Sequence, residues 1–145
     1  MAGYRKIISA LLTAVAILTM SSCQKAELPE PEPQLAVNFT NTSGEWELKT
    51  WNGNDMSDTP MHLTLKAKKF TIVQTIGSMY PETFTGSYNI YEEEGLGMII
   101  RGIYDYTYEY WANRYIISSL TASSMEWTTV GKDEILTFKK VIETY

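Results

Sequence analysis

From residue 44 onward apolar and polar side chains alternate with a period of two, and that period limits what the chain can become. Trp46, Leu48 and Thr50 alternate with Glu45, Glu47 and Lys49; Met61, Leu63 and Leu65 alternate with His62, Thr64 and Lys66. Successive side chains of an extended strand point to opposite faces, so each such segment offers one face to a core and one to water. Further segments of this kind cover residues 69–76, 82–91, 97–104, 112–121, 123–130 and 134–142. No window after residue 22 carries an apolar period of 3.6. The connections EEEGLG, between the fourth and fifth segments, and VGKD, between the seventh and eighth, have the length and glycine content of hairpin turns. The pattern predicts an all-β domain over residues 38–145, an eight-stranded antiparallel up-and-down barrel whose closure removes the exposed edges. A β-sandwich uses the same alternation, because alternation does not report closure.

The inward set is bulky. It holds Trp46, Leu48, Met61, Leu63, Leu65, Phe70, Ile72, Phe84, Tyr88, Ile90, Met98, Ile100, Ile116, Leu120, Met125, Trp127, Leu136 and Phe138. An eight-stranded barrel is just wide enough to be filled by side chains or to hold one small ligand. So many large residues predict a shallow cavity at the open end in place of a full-depth calyx.

The first 22 residues have another character. Arg5 and Lys6 lead into the apolar run Ile7–Met20, which is 14 residues long and ends at Ser21 and Ser22. That is the layout of a signal peptide, and the run is well short of the roughly 20 residues a membrane-spanning helix needs. Cys23, the chain's one cysteine, follows directly. The stretch LTMSSC resembles the bacterial lipobox, although Met20 stands where leucine is usual. The resemblance implies that Cys23 is lipidated and becomes the first residue of the mature chain. A single cysteine excludes a disulfide within one molecule. Residues 23–37 then form a linker in which Pro29, Pro31 and Pro33 alternate with Glu30 and Glu32, a composition that favours polyproline II and predicts a semi-rigid tether outside the core.

Charge narrows the partners. Loss of residues 1–22 removes two of the 12 basic residues and none of the 17 acidic ones, leaving a net charge of −7. Phosphate binding needs a basic face, so nucleic acid is not an expected partner. Gln24, where an aspartate would resemble an inner-membrane retention signal, points to the outer membrane. Lys25 with Glu27 resembles the lysine-plus-acid export signal of surface lipoproteins in the Bacteroidota. The expected location is a lipid anchor in the outer membrane, on its periplasmic face or at the cell surface, with the surface favoured.

Four stretches, SGEWELKTW, TGSYNIY, YIISSLTASSMEW and LTFKKV, are similar in order and character to the small lipocalin-like lipoproteins of the Bacteroidota, which form calycin-type barrels. The resemblance spans most of residues 43–142. Gly44-Glu45-Trp46 matches the Gly-x-Trp of lipocalins, whose tryptophan packs at the closed end of the barrel against a basic residue of the last strand. Lys140 is the candidate for that basic residue, because it shares parity with Leu136 and Phe138.

YDYTYEYW, residues 104–111, is the second unusual stretch. Extended, it would set Tyr104, Tyr106, Tyr108 and Tyr110 on one side, in the parity of Met98 and Ile100, and so place four phenols at the barrel mouth beside Trp111. Such a rim, with Tyr88, would suit an amphipathic ligand, a glycan or a protein partner. The ordinary alternative is mutual packing across an extended hairpin.

Chemistry is sparsely represented. His62, the one histidine, has the parity opposite to Met61, Leu63 and Leu65 and is expected in solvent, with no nucleophile motif beside it. Glu92, Glu93 and Glu94 read as a solvated hairpin tip, and no zinc or calcium ligand set accompanies them. No catalytic residue, metal or cofactor is expected. Two functions remain: a binding module that captures a small apolar or amphipathic molecule, and a structural subunit with a filled barrel that docks onto another outer-membrane protein.

Overall fold

The structure is a computed structural model that describes residues 28–143. Residues 1–22, Cys23 and the first part of the linker lie outside the described residues. One helical turn, α1 (Phe39–Thr42), precedes nine strands: β1 (Gly44–Trp51), β2 (Asn54–Asp55), β3 (Met61–Lys66), β4 (Lys69–Gln74), β5 (Glu82–Glu93), β6 (Gly97–Tyr104), β7 (Tyr115–Leu120), β8 (Ser124–Thr129) and β9 (Ile135–Lys140). All pairings are antiparallel. β1 pairs with β3, consecutive strands pair from β3 to β9, and β9 returns to β1, with Trp46 opposite Lys140 and Trp51 opposite Leu136. Eight strands therefore close into a barrel, and β2 only extends the hairpin at the end of β1. Closure decides for the barrel over the sandwich.

Alternation places the core as the sequence predicts. Trp46 and Leu48 of β1, Leu63 and Leu65 of β3, Phe70 of β4, Met125 and Trp127 of β8 and Phe138 of β9 fill the interior. Between the paired Lys66 and Lys69, the β3–β4 turn has two residues, Ala67 and Lys68, with φ of 50° and 63°. Positive φ at both central positions makes the type I′ turn, whose twist matches that of the flanking strands.

Two β-bulges change parity. Between the pairs Leu48–Phe138 and Thr50–Thr137, Lys49 has no opposite residue. Between Ile117–Trp127 and Ser119–Glu126, Ser118 has none. One extra residue on one strand inverts the facing of everything beyond it. Trp51 thus packs against the core although Trp46 and Leu48 have the other parity, and Ile117 joins Leu120 in the interior. The expectation that Ile116 points inward is corrected: it pairs with Ile99, and the core position belongs to Ile117.

The end of the linker is no free tether. Leu35 N–H donates to the Leu120 carbonyl at 2.8 Å, and Leu120 N–H donates to Gln34 Oε1 at 3.2 Å. Ser123 Oγ donates to the Glu32 carboxylate at 2.7 Å, and hydrogen bonds from Thr121 and Ser123 hold that carboxyl below its usual range. Residues 32–37 form a strap along the end of β7, and Val37 with Phe39 packs against the core. The tether reading is corrected for these residues, because apolar Val37 and the free edge groups at Leu120 give the chain something to bury and to bond.

Candidate ligand site at the open end

The two ends of the barrel are built differently. At the end holding the start of β1 and the end of β9, α1 closes the barrel. Asn38 caps the turn, its Oδ1 accepting from Asn41 N–H at 2.8 Å, and Thr42 is fully buried. The indole N–H of fully buried Trp46 donates to the Thr42 carbonyl at 2.9 Å. Lys140 Nζ lies 5.3 Å from the Trp46 ring centroid, a cation–π contact worth about 0.5–2 kcal/mol. Gly44 has φ of +140°, and a Cβ there would stand 2.7 Å from Lys140 Cε. Gly44, Trp46 and Lys140 are thus brought together, and the glycine is the residue that leaves room for the lysine to reach the indole. Phe39 completes the plug, with its ring 5.5 Å from that of Tyr88 and Lys68 Nζ 4.9 Å from its centroid.

At the opposite end a recess of about 180 Å³ opens among the strand ends and loops. Its walls come from Trp51, Met61 and Ile72, from Tyr104, Trp111 and Tyr115, and from Trp127 and Leu136, with the amides of Gln74 and Asn113. The lower wall is a packed aromatic series: Phe70 to Trp111 at 4.9 Å, Trp111 to Trp127 at 6.0 Å, Trp127 to Tyr115 at 5.0 Å and Trp127 to Phe138 at 4.7 Å between centroids. The series fills the barrel below, so the cavity is shallow. None of the lining residues carries a charge at neutral pH. Burial pushes the Tyr104 phenol above its usual pKa. Burial does the same to Tyr115, aided by the negative charge of Glu134 and the neighbouring Tyr104, while a hydrogen bond with Asn113 acts the other way. Both phenols stay neutral where a protein works.

The tyrosine-rich stretch does not extend β6. After Tyr104 the chain reverses: Tyr104 N–H donates to the Glu109 carbonyl at 2.9 Å, Tyr108 N–H to the Tyr104 carbonyl at 3.1 Å, and Trp111 N–H to the Gly102 carbonyl at 2.8 Å. Ile103 then faces Tyr110 across the new hairpin. The four phenols therefore do not share one side, which corrects the expectation. Tyr104 lines the recess; Tyr106 and Tyr108 stand exposed on the loop; Tyr110 lies on the outer wall, its ring under the Arg101 guanidinium at 4.4 Å. Trp111 is buried inside, 5% exposed. The reversal has a cost and a gain. Tyr108 takes φ of 57°, which costs an L-residue roughly 1–2 kcal/mol. Burying an indole removes 150–250 Å² from water, about 4 kcal/mol or more at 25 cal/mol per Å². The burial wins.

Gly102 makes that burial possible. It opposes Trp111 across the hairpin, and a Cβ on it would fall 2.2 Å from Trp111 Cε2. The indole therefore lies directly on the glycine backbone. Tyr88, the remaining candidate, is buried beside Phe39 at the closed half and lies outside the recess wall. Sequence reasoning missed Trp51, Tyr115, Gln74, Asn113 and Gly102 as site residues. For Gly102 a signal existed, since glycine inside a strand often marks the close approach of another group.

His62 is exposed on β3. Among the described residues no three His, Cys, Asp or Glu side chains gather where they could hold a metal ion, and no helix is long and apolar enough to cross a membrane. No protein-family model matches this chain, and neither a curated protein nor a solved structure matches it.

Proposed function

We propose that this chain is a lipid-anchored protein of the outer membrane whose lipocalin-like barrel binds one small apolar or amphipathic molecule in the open-end recess. The observation that carries the reading is the contrast within one barrel: an interior filled from the α1 plug upward, and an aromatic recess of about 180 Å³ left at the other end. Ligand pockets are concave, mostly apolar and furnished with few polar groups, and this recess has that make-up. Its volume is below the roughly 300 Å³ at which pockets for drug-sized molecules begin, so the ligand is small or enters only in part. The anchor rests on the signal-peptide layout and on Cys23. The fold supports the binding reading by compatibility alone, because one fold hosts many functions.

A second reading has its own observation. Met79 and Tyr80 on the β4–β5 loop and Tyr106 and Tyr108 on the β6–β7 loop are each at least 75% exposed. Exposed apolar side chains on neighbouring loops of one rim suit docking onto another outer-membrane protein.

Native mass spectrometry of the protein recovered gently from its own envelope separates the two. A reproducible adduct of small mass, lost on Tyr104→Ala with Tyr115→Ala, is the outcome expected for the binding module. A bare protein mass in every preparation overturns it and turns attention to the exposed rim.

A further inference from the structure

We infer that a second cleft at the open end binds a small alkylated ammonium ion. The cleft measures about 480 Å³ and lies between residues 83–85 of β5 and the turn that carries Tyr104, Tyr106, Thr107 and Glu109. It shares only the Tyr104 ring with the recess, so it is a site of its own and goes beyond the recess reading. Its size falls within the roughly 300–1,000 Å³ of ligand sites, which the recess does not reach. Asp105 N–H donates to the Thr85 carbonyl at 3.1 Å and ties the two walls together. The turn is held in itself by Tyr108 N–H to the Tyr104 carbonyl at 3.1 Å and by Glu109 N–H to Thr107 Oγ1 at 3.3 Å. The cleft is therefore formed before a ligand arrives. It is also open: Thr83, Tyr106, Thr107 and Glu109 are exposed, and Phe84, Thr85 and Tyr104 are half-buried.

Three rings and one carboxylate border this cleft. An aromatic face is the negative side of the ring and attracts a cation within about 6 Å. Phe84 and Tyr104 form one edge-to-face pair with centroids 6.0 Å apart, and Tyr106, 91% exposed, offers a further ring. The Glu109 carboxylate has no basic side chain within 4.0 Å among the described residues, so a cation entering here meets a charge not already taken. The surroundings have the same sign. The segments that make the open rim, residues 52–60, 75–82, 105–114 and 130–134, hold seven carboxylates against Lys132 and Arg114, and Arg114 is paired with Glu93. Although the recess is uncharged, the loops around it repel anions and concentrate cations. The rings narrow the class further. They suit an ion whose surface is made of C–H groups over a primary ammonium, which is compact and strongly hydrated, and one carboxylate does not fill the coordination shell of a metal ion. The hydroxyls of Thr83, Thr85 and Thr107 can meet a polar group elsewhere on the ligand.

The test titrates the full chain, labelled with ¹⁵N, with three probes of one shape. Choline carries the charge, neohexyl alcohol is the same molecule with carbon in place of nitrogen, and tert-butylacetate reverses the sign. A merely apolar cleft would prefer the alcohol, which sheds water more readily. The expected result is that choline binds about fivefold or more tighter than the alcohol, that tert-butylacetate binds weakest, and that the backbone signals of Tyr106 and Glu109 move while the indole signal of Trp127, on the recess, stays in place. Glu109→Gln should weaken choline and leave the alcohol unchanged. Tyr106→Leu should weaken choline, whereas Tyr106→Phe, which keeps the ring face, should not. Both positions are exposed, so the fold tolerates the changes. Equal or tighter binding of the alcohol or of tert-butylacetate overturns the choice of a cation. Movement of the Trp127 signal with Tyr106 and Glu109 unmoved shifts binding to the recess and overturns the cleft. If none of the three binds at any concentration reached, the inference falls, and the native-adduct test of the recess is unaffected.

Discussion

The closed and open ends of this barrel use the same side chains to opposite purposes. At the closed end one indole is sealed beneath α1, its N–H bonded to Thr42 and its face covered by Lys140. At the open end Trp51, Trp111 and Trp127 surround a space, and two of their N–H groups are unpartnered. Aromatic content therefore does not identify a site. The space beside the rings does: the closed-end indole is sealed by α1 and Lys140, whereas the open-end rings border a recess of about 180 Å³.

The largest expected effect tests the structural half of the contrast. Trp46→Ala removes a fully buried ring, the hydrogen bond to Thr42 and the platform for Lys140, and should cost about 3–5 kcal/mol in denaturant unfolding. Trp127→Phe removes ring volume, which destabilises, together with an unpaired buried donor, which stabilises, so the net change should stay under about 1 kcal/mol. Similar losses in the two variants would break the distinction between the ends.

A smaller effect probes how the open end is shaped. Gly102→Ala places a Cβ 2.2 Å from Trp111 Cε2, and one ring or one strand must move. Overpacking of this kind costs about 1–3 kcal/mol. The displaced indole should also enter the recess and abolish binding of any ligand found there. The measurement pairs a denaturation midpoint with a ligand titration. Retention of full affinity with lost stability would show that Trp111 supports the wall without forming it.

The closed end was readable in the sequence and the open end was not, for a physical reason. The Gly-x-Trp resemblance implies a basic partner for Trp46, and the uninterrupted alternation of β9 from Leu136 to Lys140 picks Lys140; Trp46 itself lies ahead of the bulge at Lys49 and keeps its parity. The eight strands were legible on the same ground. Trp51 was missed and Ile116 misplaced because the bulges at Lys49 and Ser118 are differences in residue count between two paired strands, and one strand's alternation carries no record of its partner's. The stretch 104–111 failed differently. Its strict alternation and β propensity argue for an extended strand, whereas the fold gains more by turning Trp111 back over Gly102. Tertiary burial outweighed local preference, and the competing partner, a glycine nine residues earlier, is visible only when the hairpin is formed.

The smallest expected effect is in ligand affinity against pH. No group lining the recess titrates between about pH 5 and pH 9, so affinity for a neutral ligand should change less than about twofold over that range. Above it the two ends behave alike for once, because burial raises the pKa of Tyr104 and Tyr115 at the mouth and of Tyr88 beside Phe39. In the unfolded chain these phenols lose their protons near pH 10, while in the barrel they hold them to higher pH. The folded state then binds more protons than the unfolded one, so stability falls as pH rises. That contribution is fully present below about pH 10 and is lost as pH climbs through the raised folded values. Tyr104→Phe should lessen the alkaline loss, because it removes one of the phenols whose ionisation burial opposes. Alkaline unfolding of the variant identical to that of the parent would remove Tyr104 from the set of buried mouth phenols. A bell or slope in ligand affinity between pH 5 and pH 9 would mean that a charged group reaches the recess, and the contrast between a charge-covered closed end and an uncharged open end would have to be redrawn.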